Sequence, residues 1–102
     1  MITPNGKNLM MYQYTTHHYM DLHPEINFRT IESEERMKEF IEFMRTSFCS
    51  GNVSDAKLVS PKEYYEARCS EYWKGYEEAL DNAAKDCSPE WVEEYNKLLN
   101  NK

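Results

Sequence analysis

The chain has 102 residues, of which 40% are hydrophobic and 29% charged, enough for a single compact domain over 1–102 and too few for two. The net charge of −6 disfavours direct binding to nucleic-acid phosphate, and no apolar run is long enough to span a bilayer. Cys49, Cys69 and Cys87 are an odd number without paired spacing, so a reducing, cytoplasmic setting is expected rather than a disulfide framework.

Met1–Met20 lacks the basic start and apolar centre of a secretion signal. Met1–Asn8, with Thr3-Pro4-Asn5-Gly6, reads as a loose, turn-like terminus. From Leu9 to Met20 the chain becomes rich in Tyr, Thr and Met. Met10, Tyr12, Tyr14 and Thr16 alternate there with Met11, Gln13, Thr15 and His17, a strand signal. Asp21–Glu25 reads as a turn, and Ile26–Ile31 alternates again. The two runs, about 9–20 and 26–31, predict an antiparallel hairpin with a connection longer than the tight two-residue type.

Ser33 is placed to cap a helix over 33–49, with Glu34 and Glu35 in its first turn, where the positive end of the helix dipole favours acids. Met37, Phe40, Ile41, Met44 and Phe48 form its apolar face. Gly51 is a natural stop, and Gly51–Val59 reads as a loop anchored by Val53, Leu58 and Val59. At the other end of the chain, Ser88-Pro89 opens a short amphipathic helix over 89–99, with Trp91, Val92, Tyr95, Leu98 and Leu99 on one face.

The stretch between them carries the strongest pattern. Ser60-Pro61-Lys62-Glu63 is a capping box with Pro at the first helical position. Tyr65, Cys69, Tyr72, Tyr76, Ala79, Leu80, Ala83 and Cys87 then recur at steps that keep one helical face. The stripe stays in phase across Gly75, which predicts one helix over 61–86, roughly 40 Å long. Asp81 and Lys85 are spaced as a favourable pair. The first half of the stripe is aromatic, with Trp73 beside it; the second half, Ala79, Ala83 and Ala84, is small. Two readings follow: a partly wet core face, or a contact surface for another molecule, where Tyr and Trp are enriched. The small half is the better candidate to pack on Met37, Phe40, Ile41 and Met44, which leaves Tyr65, Tyr72, Trp73 and Tyr76 for a partner.

Tyr64-Tyr65 through Trp73-Lys74-Gly75-Tyr76-Glu77-Glu78-Ala79-Leu80 resembles one tetratricopeptide repeat, in which an aromatic pair, a Gly turn and Tyr-x-x-Ala-Leu follow one another. The resemblance covers about a quarter of the chain and has no second copy. Its turn is one residue short, and Pro89 comes about two residues early after Ala79. Such a unit implies a break at Gly75. No peptide-binding function is carried over from it.

Chemistry-bearing clusters are sparse. His17, His18 and His23 with Asp21 are the residues most like metal ligands, but on a strand His17 and His18 point to opposite faces, and no His-Glu-x-x-His spacing is present. Cys49 falls near a helix C-terminus, which raises a thiol pKa, and Cys69 falls in mid-helix. Glu34-Glu35, Glu77-Glu78 and Glu93-Glu94 are adjacent on helices and point apart. No phosphate-cradling glycine loop exists. Ten acids and six bases from Ser60 onward account for four of the six excess negative charges.

The expected fold is therefore α+β, a hairpin packed on three helices, with an all-α chain bearing an irregular N-terminal arm as the alternative. The expected function is that of a small acidic, non-enzymatic protein with no cofactor and no metal. It binds and regulates or inhibits a larger protein, or associates with itself, through the 60–87 stretch. Short chains of this composition are common among regulatory proteins of phages and mobile elements. Two other classes compete: a metal-dependent enzyme using His18, Asp21 and His23, and a structural homo-oligomer.

Overall fold

The computed structural model describes residues 2–47 and 51–101. Phe48 and Cys49, which the periodicity assigns to the end of the first helix, lie outside the described residues. The two alternating runs form β1 (Met10–His18) and β2 (Glu25–Ile31). They pair antiparallel, from Met10 opposite Ile31 to Thr16 opposite Glu25. α1 (Glu34–Ser47) follows, and the Ser33 hydroxyl accepts from the Arg36 N–H at 3.2 Å, as expected of an N-cap.

The segment read as a loop contains two short strands instead, β3 (Gly51–Val53) and β4 (Lys57–Leu58). Both pair antiparallel with β1, on the side away from β2. They behave as one strand with a kink. At the kink Ser54 N–H donates to the Thr15 carbonyl at 2.9 Å, and Thr15 N–H donates to the Ser54 hydroxyl at 2.8 Å. The side chain thus stands in for a missing backbone acceptor, so that the Thr15 N–H keeps a partner at the kink. Elements this short and polar carry no period for a sequence reading to detect.

β1 is the central strand, and its alternation feeds two cores. Tyr12 and Tyr14 face α1, packing with Met37, Ile41 and Val53. Met11, fully buried, faces the other way into a cluster with Val59, Tyr64, Leu80, Ala84, Cys87, Val92 and Tyr95. The expected packing of the Ala-rich segment on Met37, Phe40, Ile41 and Met44 therefore does not occur: the sheet lies between them. The fold is α+β, with helices on both faces of an antiparallel sheet.

The long helix expected over 61–86 is broken. α2 (Pro61–Arg68) leads to a single 3-10 turn at Glu71–Trp73, then α3 (Glu77–Ala84) and α4 (Pro89–Asn100). Gly75 turns the chain with φ of 93°, a left-handed conformation that glycine adopts without a Cβ penalty. The Tyr64 hydroxyl donates to the Leu80 carbonyl at 2.7 Å, across 16 residues. In one straight helix those residues would be about 24 Å apart. Arg68 grips Asp81 with two parallel bonds, Nε to Oδ1 at 2.8 Å and Nη2 to Oδ2 at 3.1 Å. Tyr95 of α4 donates to the same Asp81 carboxylate at 2.6 Å. Asp81 thus holds α2, α3 and α4 together rather than pairing with Lys85.

The N-terminal segment is fastened, contrary to the loose terminus expected. Ile2 is buried, and its backbone N–H and C=O are both matched by the Asn96 amide, at 2.7 and 2.6 Å. Asn5 N–H donates to the Lys85 carbonyl and Leu9 N–H to that of Asp86. Among the described residues no helix is long and apolar enough to cross a membrane.

The capping box at Ser60 forms in both directions: Glu63 N–H donates to the Ser60 hydroxyl, and Ser60 N–H to the Glu63 carboxylate, each at 3.2 Å. Ser60→Ala is expected to cost about 1 kcal/mol, read by urea denaturation. An unchanged midpoint would remove Ser60 as the cap. Asp81→Ala strands the Arg68 guanidinium and the Tyr95 hydroxyl in a largely covered site. It is expected to cost about 2–3 kcal/mol, whereas a loss under about 0.5 kcal/mol would make the network a surface pair of the weak kind.

Candidate functional site

The break in the 61–86 segment creates the site. Ser70 ends the α2 turn, its hydroxyl donating to the Ala67 carbonyl at 2.6 Å. Tyr76 N–H donates to the Trp73 carbonyl at 2.9 Å, and the Glu77 carboxylate accepts from Gly75 N–H at 2.9 Å. This bonded loop fixes three aromatic side chains that a continuous helix would have spread along its length.

Trp73 is the pivot. It is half-buried and packs on the α2–α4 core, its ring 5.5 Å from that of Phe28 on β2. Phe28 in turn meets Tyr64 edge-on at 4.9 Å, and Tyr64 meets Trp91 at 5.4 Å. A run of ring contacts therefore leads from the core to the surface, in the offset and edge geometries that aromatic pairs favour. At the surface end stand Tyr72, 47% exposed, and Tyr76, 60% exposed. Both lie edge-on to Trp73, at 5.2 and 6.1 Å. The Trp73 indole N–H is the one buried side-chain nitrogen or oxygen without a partner among the described residues. Leaving such a donor unpaired costs about 1–3 kcal/mol, which the apolar packing of the ring must offset.

The four residues expected at a partner surface thus divide. Tyr72 and Tyr76 are presented to solvent. Trp73 is instead their support, since Phe28 and the core claim one side of its ring. Tyr65 packs partly against the same core, and the neighbouring Cys69 thiol raises its pKa above the ordinary tyrosine value.

The hairpin tip is the part that the sequence reading missed as a surface. Tyr19, Met20 and Leu22 are 75%, 72% and 92% exposed. The tip is ordered by local bonds: Asp21 N–H to the His18 carbonyl at 2.8 Å, Met20 N–H to His18 Nδ1 at 3.3 Å, and His17 Nε2 to the Asp21 carbonyl at 3.1 Å. The imidazoles of His17 and His18 therefore serve the backbone of the turn. Among the described residues no three His, Cys, Asp or Glu side chains gather as metal ligands, so His18, Asp21 and His23 are not brought together. Tip and tyrosines belong to one end of the sheet, because the Tyr72 hydroxyl accepts from Ile26 N–H at the start of β2, at 3.0 Å. Asp21, Glu25, Glu71, Glu77 and Glu78 belong to these same segments, against Lys74 alone.

The remaining surface offers little chemistry. A cavity of about 660 Å³ lies between Leu9–Met11, Leu58–Ser60 and Trp91, at the starts of α2 and α4. Glu32 and Glu63 line it. The Glu63 carboxyl is held below its ordinary range by bonds from Lys57 and Ser60, so it is ionised rather than poised to transfer a proton. Cys87 is buried and its thiol is pushed up to about 12 by desolvation, with Asp86 adding to the shift, the reverse of an activated nucleophile. Comparison with protein-family models, with curated proteins and with solved structures finds no match.

The division among the aromatic residues has a stability signature. Trp73→Ala is expected to cost about 2–3 kcal/mol, somewhat below a fully buried Trp, and Tyr76→Ala about 0.5 kcal/mol or less. Thermal melts of the two variants check this. Equal destabilisation would place Tyr76 in the core rather than on the surface.

Proposed function

We propose that this chain is a non-enzymatic interaction protein that binds and regulates or inhibits a larger protein, using the end of the sheet where Tyr72, Tyr76 and the hairpin tip are exposed. One observation carries the reading: two exposed tyrosines braced on a half-buried Trp belong to the same end as the exposed Tyr19, Met20 and Leu22. Apolar groups gathered in this way mark interaction sites more often than scattered surface residues do. Tyr side chains give large contact area for little lost conformational freedom, and they recur among the residues that dominate binding energy. Trp73 pre-orders them, which lowers the entropic cost of association.

The acids at this end select the partner's chemistry. Glu25, Glu71 and Glu78 are exposed and make no ion pair among the described residues, so they are available to a basic rim on the partner. Charges at such a rim act mainly on association rate and on rejection of wrong partners. They also repel phosphate, which argues against nucleic acid as the direct ligand. The cytoplasm is part of the same proposal, since Cys69 and Cys87 are free thiols and a reducing compartment keeps them so.

The test starts from cross-linking and mass spectrometry in the native host, followed by titration with the identified partner in purified form. Tyr76→Ala and Leu22→Ser are each expected to weaken that complex at least 30-fold, roughly the loss at a binding hot spot, while the melting temperature stays within about 4 °C of wild type. The wild-type association rate should fall as salt rises. A partner whose affinity is untouched by both substitutions would remove this surface from the function.

A further inference from the structure

We infer that a second copy of this chain docks on the outer edge of β2, pairing antiparallel about Asn27, and that the Tyr72 hydroxyl competes for the same edge. The observation is one of backbone direction. On β1, Met11 and Thr15 bond towards β4 and the 54–56 kink, through Val59 N–H to the Met11 carbonyl and through Thr15 N–H to Ser54. The two-residue period of a strand then turns the backbone N–H and C=O of Tyr12 and Tyr14 towards β2. Their partners there are Arg29 and Asn27. Ile26, Phe28 and Thr30 must therefore turn their N–H and C=O groups outwards. The Ile26 contact agrees independently, since its N–H meets Tyr72 and not β1.

Among the described residues, this is the only outward-facing backbone group of β2 with a hydrogen-bond partner. Unpaired strand edges are templates for another strand, and proteins usually blunt them with kinks, prolines or lysines. The opposite edge of the sheet is blunted in this way: it is kinked at 54–56, carries Lys57, and has the Val53 carbonyl covered by Arg45 Nε at 3.1 Å. β2 has no Pro, no Lys and no kink. Its guard is one hydroxyl, on a half-exposed side chain.

Charge chooses the occupant and the register. Three symmetric pairings set at least two outward-facing residues of each copy opposite each other. Phe28 opposite the second copy's Phe28 sets Asn27 against Arg29 and Glu25 against Ile31, with no charge pair. Phe28 opposite the second copy's Thr30 sets Arg29 against Arg29, a repulsive contact. Ile26 opposite the second copy's Phe28 sets Glu25 against Arg29, and does so twice by symmetry. Neither residue has an ion-pair partner among the described residues; Arg29 lies over the Phe40 ring at 4.0 Å. This register is self-complementary, as a two-fold interface requires. It ends where Thr30 meets Pro24, which has no N–H to give. The ladder is short, so the dimer is weak and reversible.

This inference does not rest on the proposed partner. It shares Glu25 and Tyr72 with that surface but is read through the Glu25–Arg29 pairing and the Tyr72 hydroxyl, whereas Tyr76→Ala and Leu22→Ser report on the partner surface alone. Sedimentation equilibrium over a concentration series up to about 1 mM tests it, with far-UV circular dichroism to confirm folding. Wild type is expected to show a monomer–dimer equilibrium. Tyr72→Phe keeps the ring and removes the competing acceptor, and should lower the dimer dissociation constant about threefold to tenfold. Glu25→Arg and Arg29→Glu should each weaken the dimer, and the double variant carrying both should restore it. Wild type and Tyr72→Phe both monomeric at the highest concentration would overturn the proposal. So would a double variant that folds but does not regain the dimer, or a dimer lost with Tyr76→Ala and indifferent to the charge changes.

Discussion

The grip of Arg68 on Asp81 decides the shape of the C-terminal half. Two parallel bonds between a guanidinium and a carboxylate, both about three-quarters or more covered, fix α3 alongside α2 in one orientation, because a planar fork admits little rotation. Tyr95 adds α4 to the same carboxylate, and the Tyr64 hydroxyl reaches the Leu80 carbonyl beside it. These polar ties sit at the edge of an apolar cluster whose burial supplies most of the stabilisation. Their own contribution is to select one packing of three short helices among several that would bury similar area.

The same fold-back is what puts aromatic residues at the surface. A straight helix would have aligned the Tyr stripe with the Ala stripe and buried or exposed them as one face. With the chain reversed at Gly75, Leu80 and Ala84 enter the core, while the turn itself projects beside β2. Trp73 then packs on Phe28, and its neighbours Tyr72 and Tyr76 are left standing on either side. Burial of one ring and presentation of two follow from a single turn.

The sheet imposes the complementary constraint. β1 must satisfy two cores with alternate residues, so its register with β2 cannot slip by one without exchanging Met11 for Tyr12. That rigidity carries to the outer edge of β2, where the direction of each N–H is set by what β1 and the kinked third strand require of one another. Surface features at both the tip and the edge are thus consequences of how the central strand is held.

The local signals were legible in the residues alone. Ser60-Pro61-Lys62-Glu63 and Ser88-Pro89 announce helix starts, and the alternation of Met10–His17 announces a strand, because caps and pleats are decided within a few residues. The α+β class followed from those signals. Tyr72 and Tyr76 were legible as surface candidates, but the exposed tip was not, since Tyr19, Met20 and Leu22 share no period. Helical phase could not reveal the break at Gly75, because a stripe in phase fits one long helix and two short ones equally well. Only the tertiary structure decided between them, through Arg68 meeting Asp81 and Tyr64 meeting Leu80. It likewise set Trp73 apart from its neighbouring tyrosines, because burial depends on what arrives from elsewhere in the chain, here Phe28 from the hairpin.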